Sequence, residues 1–96
     1  MKFAAVFEYC ADKAKILEVR PAHREYLSGV LKSGRLVVGG PYIDDSGAII
    51  IYDAASAEEA ETLVREDPFA TQGVFVSWTI RPWKVVMSNP EKVTPG

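Results

Sequence analysis

The 96-residue sequence holds one cysteine, Cys10, and one histidine, His23. A single cysteine closes no internal disulfide, whereas a small secreted domain is usually stapled by several. One Cys and one His also fall short of the N/S ligands that a zinc site takes, so no metal is expected. Long apolar runs are missing as well. The stretch from Phe3 to Phe7 ends at Glu8, too short for a signal peptide or a membrane span. Nor is there a basic excess. Eleven Lys and Arg face 13 Asp and Glu, for a net charge of −2, and nucleic-acid binding needs a positive footprint. Gly39-Gly40-Pro41 has neither dinucleotide nor P-loop spacing. Ser28 and Ser77 lack the glycines of a nucleophile elbow. These absences predict a cytoplasmic protein with no cofactor, no nucleic-acid partner and no membrane.

What is present suffices for a folded domain. Hydrophobic residues make up 48% of the chain and charged ones 25%, which excludes a disordered composition. The length fits one domain. Residues 1–86 are expected to form it. Residues 87–96, with two prolines and few apolar side chains, read as a mobile or loosely docked tail.

Phe3 to Tyr9 alternates as a strand, with Phe3, Ala5, Phe7 and Tyr9 on one face. Pro21 suits a first helical turn, so a helix is expected from Pro21 to Ser33, stopped by Gly34. On that helix His23 lies near the centre of a stripe holding Tyr26, Leu27, Val30 and Leu31, with Arg24 off it. Leu36 to Tyr42 reads as a strand broken at Gly39-Gly40-Pro41, and Ala48 to Tyr52 as its hairpin partner across the turn Asp44–Gly47. Ser56 and Glu59 form a capping box for a helix ending before Asp67-Pro68. Val74 to Val86 is the last strand, with Val74, Val76, Trp78 and Ile80 expected on one side and Phe75 on the other.

The order β-α-β-β-α-β predicts an α+β, ferredoxin-like fold: a four-stranded antiparallel sheet with both helices on one face. Ile49, Ile50 and Ile51 put large apolar groups on both sheet faces. An uncovered apolar face of that extent marks an interface, so a homodimer packed sheet to sheet is expected.

His23 is the natural proton-transfer residue near neutral pH. Its place on the buried stripe leaves two readings: a satisfied core histidine, or a base facing a cavity. Asp67 could orient it as a carboxylate partner, or merely open a turn before Pro68. Arg20 could clamp an anion or sit solvated. The break at Gly40-Pro41 suits the rim of a pocket, which Tyr9, Tyr26, Phe69 and Trp78 could line, although aromatic residues in so small a chain more often serve as plain core.

The ordered set Arg20-x-x-His23, Leu27, Gly34, Gly40-Pro41, Asp67-Pro68-Phe69, Gly73 and Pro82-Trp83 resembles the YciI-like (YCII-related) family over residues 2–86. The resemblance implies a dimeric α/β barrel of ferredoxin-like protomers. It also implies a pocket whose His-Asp pair falls on His23 and Asp67. Most members have no assigned reaction. One relative in chloroaromatic breakdown acts as a dehydrochlorinase on a hydroxylated ring, muconolactone isomerases share the wider architecture, and some members occur beside or fused to transcription-related proteins. The link from Gly40-Pro41 to Gly47 is shorter here than the glycine-rich insert of many relatives, which shortens one wall of the pocket. Two functions follow as expectations. One is a cofactor-free acid/base enzyme of lyase or isomerase type acting on a small phenolic or enolisable molecule. The other is a non-catalytic dimer that binds a small ligand or a protein, with assembly beyond the dimer open.

Overall fold

Alternation along the first strand sets the architecture. In the computed structural model, which describes all 96 residues, β1 (Lys2–Tyr9) buries Phe3, Ala5, Phe7 and Tyr9 and turns Val6 and Glu8 outward. The other elements are α1 (Lys13–Lys32), β2 (Leu36–Pro41), β3 (Gly47–Asp53), α2 (Ala57–Arg65), α3 (Pro68–Thr71) and β4 (Phe75–Trp83). The four strands form one antiparallel sheet in the order β2-β3-β1-β4. α1 lies over the β2 edge and α2 over the β4 edge, so the helices cover one face. The fold is the α+β, ferredoxin-like arrangement expected from the order of elements. No helix is long and apolar enough to cross a membrane.

The first helix begins eight residues before the proline that was expected to open it. Asp12 is the N-cap, and its carboxylate accepts from the Lys15 backbone N–H at 3.1 Å. Pro21 sits inside the helix. Its missing N–H would have bonded the Leu17 carbonyl, and both residues are exposed, so that carbonyl turns to water instead of being orphaned in the core. The helix stops at Ser33 and Gly34, the latter in the left-handed region at φ +81°. Of the expected stripe, His23 and Val30 are buried, Tyr26 and Leu27 half-buried, and Leu31 exposed.

Two strand expectations also change. β2 does not break at Gly39-Gly40-Pro41. The ladder continues through all three, with Gly39 opposite Ile50, Gly40 opposite Ile49 and Pro41 opposite Ala48. An edge strand tolerates proline because one side of its backbone faces no neighbour. In β4 the register shifts: Glu8 pairs with Ser77 but Tyr9 pairs with Phe75. The extra residue, Val76, is a bulge that reverses the alternation. Phe75 therefore joins Trp78 on the helix side, where it stacks on Phe7 with centroids 4.1 Å apart. Val76 is exposed.

The main core is the single layer between helices and sheet. It holds Phe7, Ile16, Ile50, Tyr52, Val64, Phe69 and Val74, all at most 2% exposed. The opposite face leaves Val6 and Ile49 nearly half exposed. Residues beyond Trp83 are all exposed, and the one helical element among them is a short 3₁₀ turn at Pro90–Lys92.

Candidate active site

Asp67 is placed by the start of the shortest helix. Pro68 disfavours the helical conformation for the residue before it, and Asp67 is extended at φ −67°, ψ 132°. From that position its Oδ1 accepts the Phe69 backbone N–H at 2.8 Å and so caps α3. The same oxygen lies 2.7 Å from His23 Nδ1. The two residues are 44 positions apart in the chain, and the packing of α1 against α3 brings them together. Asp67 is fully buried and His23 is 6% exposed.

The chemistry of the pair follows from its donors and acceptors. An ionised carboxylate only accepts, so the proton between them sits on Nδ1 and the imidazole is held in one tautomer. Nε2 then carries the lone pair. It has no protein partner and is not sealed among the buried polar atoms. It opens on a cleft of about 260 Å³ between α1 and the strands beneath it. Phe69 fixes the ring from behind, parallel to the imidazole within 1° and 3.8 Å away between centroids. A histidine held at one nitrogen by a carboxylate, clamped on one face and open at the other nitrogen is arranged as a general base and acid.

The cleft is lined by Tyr9, His23, Arg24, Leu27, Ala48, Ile50 and the segment Gly39-Gly40-Pro41. Gly39 shapes its floor. A Cβ there would stand 2.9 Å from Ile50 Cγ1 and 3.2 Å from the Ile49 carbonyl, so the close approach of β2 to β3 needs glycine. Tyr9 is 6% exposed, and its hydroxyl has no protein partner. Burial pushes its phenol up to about 12; the charges of Asp45 and Asp67 add to this, while those of Arg20 and Arg24 oppose it. At neutral pH Tyr9 is thus an uncharged hydroxyl on the cleft wall.

Of the residues read from sequence as substrate contacts, Tyr9, Gly40 and Pro41 line this cleft with His23. Phe69 lies behind the imidazole, fully buried. Arg20 and Trp78 lie elsewhere. The Arg20 guanidinium pairs with Asp45 Oδ1 at 2.7 Å. Lys13 Nζ adds a bond to the Asp44 carbonyl at 3.0 Å, so α1 straps down the β2–β3 turn, in which Asp45 takes φ +59°. Asp45 is therefore part of an ion pair and not a solvated turn residue. The neighbouring Asp44 is solvated, and Ser46 holds its carboxyl below the usual range, through its side chain first and then through the backbone N–H that Asp44 accepts at 3.0 Å. Trp78 is on β4, at the opposite sheet edge from β2. Its indole N–H reaches Glu61 at 3.4 Å, and Arg65 lies 5.7 Å above its ring.

Sequence reasoning passed over Arg24, Ala48 and Ile50 as cleft residues. Ala48 and Ile50 are indistinguishable from core in a strand pattern. Arg24 was set aside as lying off the apolar stripe, which is where a cleft residue beside His23 belongs.

The model for the YCII-related domain matches residues 1–84. Protein YciI of Escherichia coli is 33% identical over 92 residues, covering 81% of this chain and 94% of that protein. A protein of Emericella nidulans, derivative of benzaldehyde biosynthesis cluster protein C, is 32% identical over 73 residues, covering 65% and 74%. Among solved structures, the 5-chloro-2-hydroxyhydroquinone dehydrochlorinase of Burkholderia phenoliruptrix, in complex with 2,5-dihydroxybenzoquinone, superposes with a TM-score of 0.78. It is 26% identical, and the match covers 88% of this chain and 94% of that one.

Proposed function

The chain belongs to the YCII-related domain family, and we propose that it is a cofactor-free acid/base enzyme that eliminates or shifts a group on a small hydroxylated ring. One observation carries the proposal: His23 is held by Asp67 at 2.7 Å through Nδ1, while Nε2 opens on the cleft. A structural histidine with both nitrogens satisfied would have favoured a non-catalytic binding module. The fold shared with a dehydrochlorinase supports the same reading.

The chemistry balances without an external oxidant or metal. Nε2 removes a ring hydroxyl proton, and the oxygen electron pair becomes a carbonyl π bond. The displaced ring π pair takes a proton from the imidazolium at the neighbouring halogen-bearing carbon. That half is a tautomerisation, the isomerase side of the expectation. Removal of a second acidic proton then forms a new π bond as the carbon–halogen bond breaks and halide leaves with its electron pair. The sum is loss of HX, with one histidine as base, acid and base again. The Asp67 carboxylate holds the tautomer and stabilises each imidazolium. A cleft of about 260 Å³ has room for one substituted ring.

The test is turnover of 5-chloro-2-hydroxyhydroquinone, followed by chloride release. His23→Gln should lower the rate by about 10²–10⁴, the usual share of general acid–base catalysis. Asp67→Asn keeps an acceptor for the Phe69 N–H but removes the charge, and should lower the rate at least about tenfold with the fold intact. Full activity in His23→Gln overturns the mechanism. An inactive but folded wild type overturns the substrate class and favours the binding-module reading.

The protein works, in this proposal, as a homodimer packed through the uncovered sheet face. Val6 and Ile49 lie on that face, both more than 40% exposed. Such side chains gain about 25 cal/mol per Å² of apolar area removed from water.

A further inference from the structure

The charges of four groups act on the Tyr9 phenol: Arg20, Asp45, Asp67 and Arg24. Three of them are accounted for. Arg20 and Asp45 neutralise each other at 2.7 Å, and Asp67 is taken up by His23 and the Phe69 N–H. Arg24 is left. No ion pair or side-chain hydrogen bond of the chain engages it, yet it lines the cleft beside His23 and Leu27. It also stands one helical turn from Arg20, a like-charge spacing that disfavours the helix unless an anion relieves it. Asp45 relieves the Arg20 end, and nothing in the chain relieves the other.

From this remainder we infer that the cleft takes its ligand as an anion, with Arg24 binding the oxyanion or carboxylate. The ligand class is a planar ring bearing delocalised negative charge: a phenolate, an enolate of a vinylogous acid, or an aryl carboxylate. The guanidinium suits such a group because its planar donor fork can meet two oxygens or one edge of a delocalised system. The uncharged Tyr9 hydroxyl adds a donor on the same wall. Leu27 and Ile50 supply the apolar surface for the ring. The inference rests on the cleft being the working site, but not on any particular reaction there. It moves the anion-binding role from Arg20, which is occupied, to Arg24.

Two probes of similar size separate charge from shape. 2,5-Dihydroxybenzoquinone is a vinylogous acid and is anionic at neutral pH; hydroquinone is neutral. Calorimetric titration of the full chain at low ionic strength should show the anion binding more tightly. In Arg24→Gln the anion should lose about tenfold in affinity while hydroquinone is unchanged, and Arg24→Lys should recover part of the loss. Added salt should weaken anion binding to the wild type and leave Arg24→Gln much less affected. Arg24 is exposed, so these variants keep the fold, which circular dichroism checks. Equal loss for both probes, an unchanged anion affinity in Arg24→Gln, or no anion binding to the wild type would each overturn the inference. An Arg24-dependent anion affinity in a protein that does not release chloride from 5-chloro-2-hydroxyhydroquinone would uphold it while removing the proposed reaction.

Discussion

Two buried side-chain atoms have no hydrogen-bond partner, the Tyr52 hydroxyl and Asp67 Oδ2. The Asp67 carboxylate keeps its place because its other oxygen serves both His23 and the Phe69 N–H. Tyr52 has no such compensation. Its ring fills the core, and an unsatisfied hydroxyl costs about 1–3 kcal/mol. Tyr52→Phe should therefore raise stability by roughly 1 kcal/mol in a denaturant titration. The tyrosines also set an alkaline limit. Burial raises the Tyr9 and Tyr26 phenols from 10.0 to about 12, and raises that of Tyr52 further. Above pH 10 the unfolded chain sheds phenolic protons that the folded chain retains, so the unfolded state binds fewer protons and stability falls as pH rises. The loss should begin near pH 10, continue to about 12, and be smaller in Tyr52→Phe. A stability flat across that window would contradict the burial of these phenols. At this scale the sequence was most legible at His23 and Asp67, because a lone histidine on an apolar stripe and an Asp-Pro step are both visible in one dimension. The Arg20–Asp45 pair was not visible, since 25 residues of chain separate its ends and only tertiary packing decides which arginine is spent.

Among the elements, β1, β3 and the second helix followed their patterns, and Ser56 caps α2 by accepting the Glu59 N–H at 3.2 Å. α1 did not follow, for a local reason. Proline is a strong punctuation signal, whereas Asp12 has Lys15 and not an acidic residue at N3, so the capping box that marks α2 is missing from α1. Tertiary packing of Ile16 then carries the helix through a residue that resists it. The proline should be a liability at this place. Pro21→Ala should raise stability by about 1–3 kcal/mol, read as a higher denaturant midpoint, because alanine restores the bond to the Leu17 carbonyl. Part of that gain is offset by the freer unfolded chain. A lower midpoint would mean that the helix has a break at Pro21. The β4 bulge was hidden for a different reason: a period of two assumes one residue for one, and no residue type at Val76 announces an insertion.

For the whole molecule, the sheet was legible as a two-sided object before its partner was. Both faces were read as apolar in the sequence, and only the helix side is covered within one chain. Ile49→Asp should turn the proposed dimer into a monomer at micromolar concentration, seen by sedimentation, without moving His23 or Asp67. A wild type that sediments as a monomer would refute the dimer directly. The sheet is in this sense a partition. Ile49 and Ile50 are adjacent in the chain but stand on opposite sides of it. One is free to change with the surface it meets, while the other is bound to the shape of the cleft that Gly39 and Tyr9 help enclose. A drift in assembly and a drift in substrate preference can thus be written into neighbouring codons and still be inherited as separate traits.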